Sequence, residues 1–308
     1  MTVTSTEFLA SVKRLITQPS NQKLFVDTDF YAMGDRKLKD TIVPLLDSLN
    51  GEFFVRTATL AMVSGQSEYR LPARAYGRKL REVKIVNSAG YRFDFPKIEI
   101  EREQLYQISG VPFGFYFKGD RFAVVPAPNS TAYSIQYWYF LAPSKIVDTA
   151  SAALITAISG NDVTVSTLPT TIVAGSIIDF IEGIQGNACI SLDKTIASVA
   201  GTVLTFTAGD VPTDLAIGDY ISLASYSPVL QIPDNAVPYL VTLTCMDVLQ
   251  ALSDYEGYEA LSKIADSQRR SLMSILEPRI EGEATRIVNS FGLVNRGFGY
   301  RRFGSYNV

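Results

Sequence analysis

Two stretches of this chain repeat one another, and few folds accommodate such a pair. Residues 168–178 read Leu-Pro-Thr-Thr-Ile-Val-Ala-Gly-Ser-Ile-Ile, and residues 211–221 read Val-Pro-Thr-Asp-Leu-Ala-Ile-Gly-Asp-Tyr-Ile. A glycine turn and a β-branched strand precede each copy, at residues 160–165 and 201–206. Short strands of this kind cannot bury a face alone, so two related β-hairpin units are expected to close on each other as a small barrel or sandwich. The block that holds them, residues 148–227, is rich in Thr, Ser, Ala, Val and Ile and poor in charge. Lying between a strand-rich region and a helical one, it is predicted to be an inserted all-β domain.

On either side the apolar spacing changes. Thr4 and Glu7 form a capping box, and Phe8, Leu9, Val12, Leu15 and Ile16 share one face, which predicts a helix over 5–17 ended by Gln18-Pro19-Ser20. A second helix is expected from Asp35, carrying Leu38, Ile42, Leu45, Leu46, Leu49 and Phe53, and kinked or divided at Pro44. From Thr57 the period becomes two, predicting strands at 57–62, 67–71, 79–86, 91–100, 114–125 and 132–140. Ile98 and Ile100 are expected on a buried face, with Glu99 and Glu101 on a wet one. Helix returns at Asp234, expected to cap a segment with Pro238 in its first turn and Leu240, Leu243, Met246, Val248, Leu249 and Leu252 beyond. Gly257 is expected to interrupt it. Residues 258–277 then place Tyr258, Leu261, Ile264, Ala265, Leu272 and Ile275 on one side, and Lys263, Asp266, Arg269 and Arg270 on the other. The fold class is α+β: a helical bundle packed with an antiparallel β region, built from residues 1–147 with 228–282, plus the insert at 148–227.

Residues 283–308 belong to neither part. Phe291, Phe298, Tyr300, Phe303 and Tyr306 alternate with Arg286, Arg296, Arg301 and Arg302, while glycines at 292, 297, 299 and 304 leave the backbone free. No helical or strand period runs through the segment, so it cannot build a core of its own. Aromatics and arginines are favoured at interfaces and scarce in ordinary disordered tails, so the segment reads as an extended arm that folds onto a partner. Its docking residues are Arg286, Ile287, Val288, Phe291, Leu293, Arg296, Phe298, Tyr300, Arg301, Arg302, Phe303 and Tyr306.

Chemistry is mostly excluded. The 308 residues contain no histidine, which removes the commonest general base, metal ligand and nucleophile partner. Asp27-Thr-Asp29 opens like a calcium loop but lacks the glycine and the bidentate Glu that such a loop requires. Gly297-Phe-Gly299-Tyr-Arg-Arg-Phe-Gly304 has neither the strand before it nor the helix after it of a phosphate-binding loop. No catalytic, cofactor or metal residues are assigned. A net charge of −3 and a pI of 5.2 argue against tight DNA binding. No apolar run is long enough to span a membrane, and Cys189 and Cys245 read as buried thiols of a reducing compartment.

One ordered set of turn motifs carries a resemblance. The run Val63-Ser-Gly-Gln-Ser-Glu-Tyr69-Arg-Leu71-Pro72 is followed by Ser109-Gly110-Val-Pro112-Phe-Gly-Phe115, Pro126-Ala-Pro128 and Leu141-Ala-Pro143. The chain resembles the head-to-tail connector (adaptor) proteins of tailed bacteriophages, short-tailed type, over residues 5–147 and 228–308, with the insert departing from the minimal pattern. The resemblance implies a virion structural protein with no enzymatic role, made in the host cytoplasm and placed in the head-tail neck. It implies a homo-oligomeric ring, usually a dodecamer, bound to the portal protein through a C-terminal arm and to a tail tube or nozzle protein below. Genomic double-stranded DNA would pass through the ring without sequence-specific binding, and the insert could seat tail fibres. The alternative is a carbohydrate- or surface-binding tail module that uses the insert.

Overall fold

The computed structural model describes residues 2–16, 24–49, 52–99, 109–184 and 188–276. It is the mixed α and β protein expected. Helix α1 (Ser5–Leu15) opens on the predicted box: the Thr4 hydroxyl accepts the Glu7 N–H at 3.3 Å and the Glu7 carboxylate accepts the Thr4 N–H at 2.9 Å. Helix α2 (Asp27–Lys37) begins well before Asp35, because its cap is hidden in the sequence. Val26 occupies the cap without a side-chain acceptor, and the Asp29 carboxylate takes the Val26 N–H at 2.9 Å. Gly34 lets α1 and α2 approach closely, since a Cβ there would fall 2.7 Å from the Phe8 ring. A π turn, Leu38–Ile42, follows, and then α3 (Val43–Leu49). The helix is not divided at Pro44: it runs on from α2 into α3, and the π turn just before Pro44 takes up the misfit, with the Val43 N–H bonded to Leu38 O.

Near the other end, a 3₁₀ turn Asp234–Ala236 precedes α4 (Val237–Ala251), so the helix starts past Asp234, and its cap residue Ala236 offers no side-chain acceptor. The chain breaks at residues 252–254 rather than at Gly257. Ser253 adopts φ +60°, and Asp254 accepts the Gly257 N–H at 2.9 Å, which places Gly257 in the first turn of α5 (Tyr255–Leu276). α4 is buried by α1, α2 and α5. The hydroxyls of Thr242 and Thr244 return to the carbonyls of Pro238 and Leu240, so they are buried without loss. Phe8, Phe30, Leu38, Ile42, Leu46, Leu240, Val248 and Leu272 form this helical core, each worth about 1.5–3 kcal/mol.

The β region has two sheets. β1 (Val55–Ala61), β2 (Glu68–Arg70), β3 (Ala75–Asn87), β4 (Arg92–Asp94), β5 (Gly114–Lys118), β6 (Arg121–Val125) and β7 (Tyr133–Leu141) pair as β1-β7-β3-β4 and β2-β6-β5, all antiparallel. The strand expected at 114–125 is a hairpin turning at Gly119-Asp120. The strand expected at 91–100 shrinks to β4; Ile98 is half-buried and Glu99 exposed, while Ile100 and Glu101 lie outside the described residues. Phe115, Phe122, Ile135 and Tyr137 fill the core between the sheets.

β8 (Lys145–Ile146) leads into the insert, where β9 (Ala153–Ser159), β10 (Asp162–Val165), β11 (Ile177–Ile181), β12 (Cys189–Ala200), β13 (Val203–Phe206) and β14 (Tyr220–Leu223) close a barrel in the order β10-β13-β12-β11-β14-β9. β15 (Tyr226–Ser227) leaves it alongside β8, in parallel, so entry and exit are neighbours. The repeating unit is three strands rather than a hairpin: exchanging β9-β10-β11 for β12-β13-β14 maps the ring onto itself. The turns obey the same exchange. Gly175 N–H reaches Ile196 O at 2.8 Å and Gly218 N–H reaches Ile155 O at 2.9 Å. Ser176 Oγ accepts the Val173 N–H, and the Asp219 carboxylate accepts the Ala216 N–H.

Candidate assembly surfaces

The motifs behind the resemblance converge in space. The Tyr69 hydroxyl meets the Val63 N–H at 3.0 Å, and its ring stacks on Phe122 with centroids 5.8 Å apart. Gly110 pairs with the Pro126–Pro128 turn: its N–H donates to Ala127 O at 2.8 Å, and the Gly65 N–H donates to Pro128 O at 2.7 Å. A Cβ on Gly110 would stand 3.2 Å from the Pro126 ring. The motif residues thus staple the three-stranded sheet, and their role is to hold the fold.

A charged node joins the barrel to the rest. Arg74, just before β3, makes two bonds to Asp179 of β11, at 2.8 and 2.7 Å, and a third to Ser144 Oγ at 3.1 Å. The Asp179 side chain is fully buried, and it also accepts the N–H groups of Asp193 and Ser225 at 3.0 Å each. Both of those residues sit at positive φ, +54° and +70°. One carboxylate therefore pins two left-handed residues and one guanidinium, which satisfies its lone pairs. Beside it, burial and the Asp179 charge push the Cys189 thiol up to about 11, and burial pushes Cys245 in the helical core up to about 12.

Two features are left open towards solvent. A groove of about 440 Å³ runs between α1, α4 and α5, with Val237, Pro238, Val241 and Leu261 on its walls and Leu15 and Ile264 exposed at its edges. Gln268 lines it too, and its side-chain oxygen, though buried, has no hydrogen-bond partner among the described residues. The apolar face expected on α5 is split: Leu261, Ala265 and Leu272 are buried, but Ile264 is 47% and Ile275 54% exposed. The second feature is the free edge of β1. Leu141 N–H donates to Phe54 O and Met62 N–H to Tyr133 O, which fixes the ladder phase: even-numbered residues of β1 face β7 and odd-numbered ones face outward.

All twelve docking residues assigned to the arm, from Arg286 to Tyr306, lie outside the described residues. In the barrel, Phe180 and Phe206 are buried against each other, 5.1 Å between centroids, and so offer no stacking platform to a sugar. Asp27 and Asp29, which open like a calcium loop, have structural duties: Asp27 pairs with Lys13 at 2.5 Å and Asp29 caps α2. The Arg74–Asp179 node escaped the sequence reading. Its signal was an acid set within the apolar run Ile177-Ile178-Asp179-Phe180-Ile181.

No curated protein matches the chain. The family model described as SU10 adaptor protein matches residues 3–177, a span that takes in α1–α3, both sheets and the first two strands of the barrel. The match thus runs into the insert expected to depart from the pattern, and it stops short of α4 and α5. Covering more than half of the chain, and including every motif that stitches the three-stranded sheet, it establishes that the chain belongs to the SU10 adaptor protein family.

Proposed function

We propose that this chain is a structural component of the virion neck that assembles as a ring, a dodecamer, between the portal protein and the tail. The observation that carries the reading is the family match over residues 3–177. The exposed apolar residues of α5 and the groove beside it support it, because a lone subunit leaves that surface wet while a ring buries it. The arm at 283–308 docks on the portal, with its aromatics and arginines as anchors. Repeated around a ring, a modest contact per subunit becomes large avidity. Below, the ring offers a platform to a tail tube or nozzle protein, and the barrel serves as a seat for tail fibres. The net charge of −3 suits a channel through which genomic DNA slides without being gripped. No step of this role calls for catalysis.

Native mass measurement of the purified chain, alone and mixed with its portal, tests the reading. Rings that bind portal are expected, with portal capture lost when residues 296–308 are removed. Monomers alone, with no portal complex, would overturn it.

A further inference from the structure

The edge of β1 is a strand-accepting site, and we infer that its occupant is the arm of a neighbouring subunit, through residues 286–294. The outward N–H and C=O groups of Thr57, Thr59 and Ala61 meet no backbone partner among the described residues, and all three residues are exposed. The strand's one charge, Arg56, turns towards the barrel, where its guanidinium donates to Cys189 O at 2.7 Å, and the rest of the edge carries none of the usual guards. Residues 57–61 read Thr-Ala-Thr-Leu-Ala, without charge or proline, and the β1–β7 register runs without a bulge. By contrast, β3 is bulged twice against β7, between Ala75 and Glu82. A regular, uncharged edge invites one more strand, with affinity from the main chain and choice from the side chains.

The sequence of the arm says which part fits. Residues 286–294, Arg-Ile-Val-Asn-Ser-Phe-Gly-Leu-Val, contain no proline and five β-branched, aromatic or leucine side chains. The stretch after it, with glycines at 297, 299 and 304 among its arginines, is a poor strand former. Paired to β1, the segment would place Ile287, Asn289, Phe291 and Leu293 on one face, three of the four apolar. That face would continue the half-buried row of Ala58 and Leu60, which already packs on the sheet core. Nine residues lie between Leu276, the last described residue, and Arg286, a stretch that reaches at most about 33–36 Å. The inference rests on the ring reading and divides the arm: its first part links subunits, and the part from 296 onward is left for the portal.

Amide exchange at Thr57, Thr59 and Ala61 tests this with three proteins. In the full chain these amides should exchange roughly tenfold or more slowly than in a chain truncated at 285. Adding full-length Thr59→Pro protein should restore protection to the truncated one. That variant has lost the donor of its own edge, a group outside the β7 ladder, but keeps its arm to donate. Equal exchange in the full and truncated chains overturns the inference, and so does protection that the added donor fails to restore, which would mean that the arm folds back on its own edge. If the amides stay unprotected while the full chain still forms rings that capture portal, only the strand pairing is lost. A monomeric chain that captures no portal removes the ring reading as well.

Discussion

The barrel and the body that carries it handle apolar surface in opposite ways. The barrel's six strands close on one another, so no edge is left, and Ile155, Phe180 and Ile221 pack together in its apolar core. Among the described residues, the body leaves its sheet open at β1 and the apolar residues of α5 only partly covered. A self-contained unit hung on a body with unfinished surfaces is the division of labour expected of an assembly protein. In the proposed ring, contacts between copies would fall where burial is incomplete.

The hardest test of that division is the bridge between the halves. Replacing Arg74 by Met leaves Asp179 fully buried with no cation, which should cost about 3–5 kcal/mol. Urea unfolding followed by hydrogen exchange should show the loss at the β8–β15 seam and around Asp179 in β11 and Asp193 in β12, with β9, β10 and β13 still protected. A barrel that unfolds together with the body would mean that it is not self-sufficient and that the contrast fails.

How far the sequence disclosed this contrast depended on whether the controlling interaction was local. The Thr4–Glu7 box and the paired turns at Gly175 and Gly218 are short-range patterns, and both were legible. The start of α2 was not, because Asp29 caps it from inside while Val26 presents no polar side chain. The break at Ser253 was misread as one at Gly257 for a related reason, since a serine at φ +60° gives no glycine signal. The three-stranded repeat needed the closure of the barrel to be seen, as did the partnership of Arg74 with an aspartate more than a hundred residues away. The free edge of β1 was invisible for the same cause: which strand ends a sheet is a fact of long-range pairing.

Alkaline pH should separate the two regions by a smaller margin. Burial holds Cys189 at about 11, and Cys245 and Tyr31 at about 12. Each of these values is raised, so the folded chain keeps protons that the unfolded chain gives up. Stability is therefore whole below the unfolded thiol value and drains as pH rises towards the folded one, by about 2–4 kcal/mol per thiol. Tyr31 and Cys245 sit in the helical core, while Cys189 opens β12 of the barrel. Urea midpoints measured at pH 7 and at about pH 10.5 should fall further for the helical body, which holds Cys245 and Tyr31, than for the strands β9–β14, which hold Cys189 alone of the three. A midpoint that does not move with pH would remove the claim that these groups are buried in the folded state.

The smallest effect examines the symmetry that lets the barrel close. Gly175 and Gly218 occupy equivalent turns at φ +82° and +98°, where an L side chain is strained. Around Gly175 a Cβ would meet open space; at Gly218 it would come 2.4 Å from the end of the Ile184 side chain. Ile184 is exposed, so that contact can be relieved by a rotamer change. Backbone strain then dominates at both sites, and Gly175→Ala and Gly218→Ala should each cost about 1–2 kcal/mol and agree within roughly 0.5 kcal/mol. Because the two turns bond to Ile196 and Ile155 in the same way, a matched loss would show that both units carry the closure equally. A Gly218 variant that loses far more would show that the second turn, where Asp219 also holds the Gly183 N–H at 2.9 Å, has taken on a duty the first does not share.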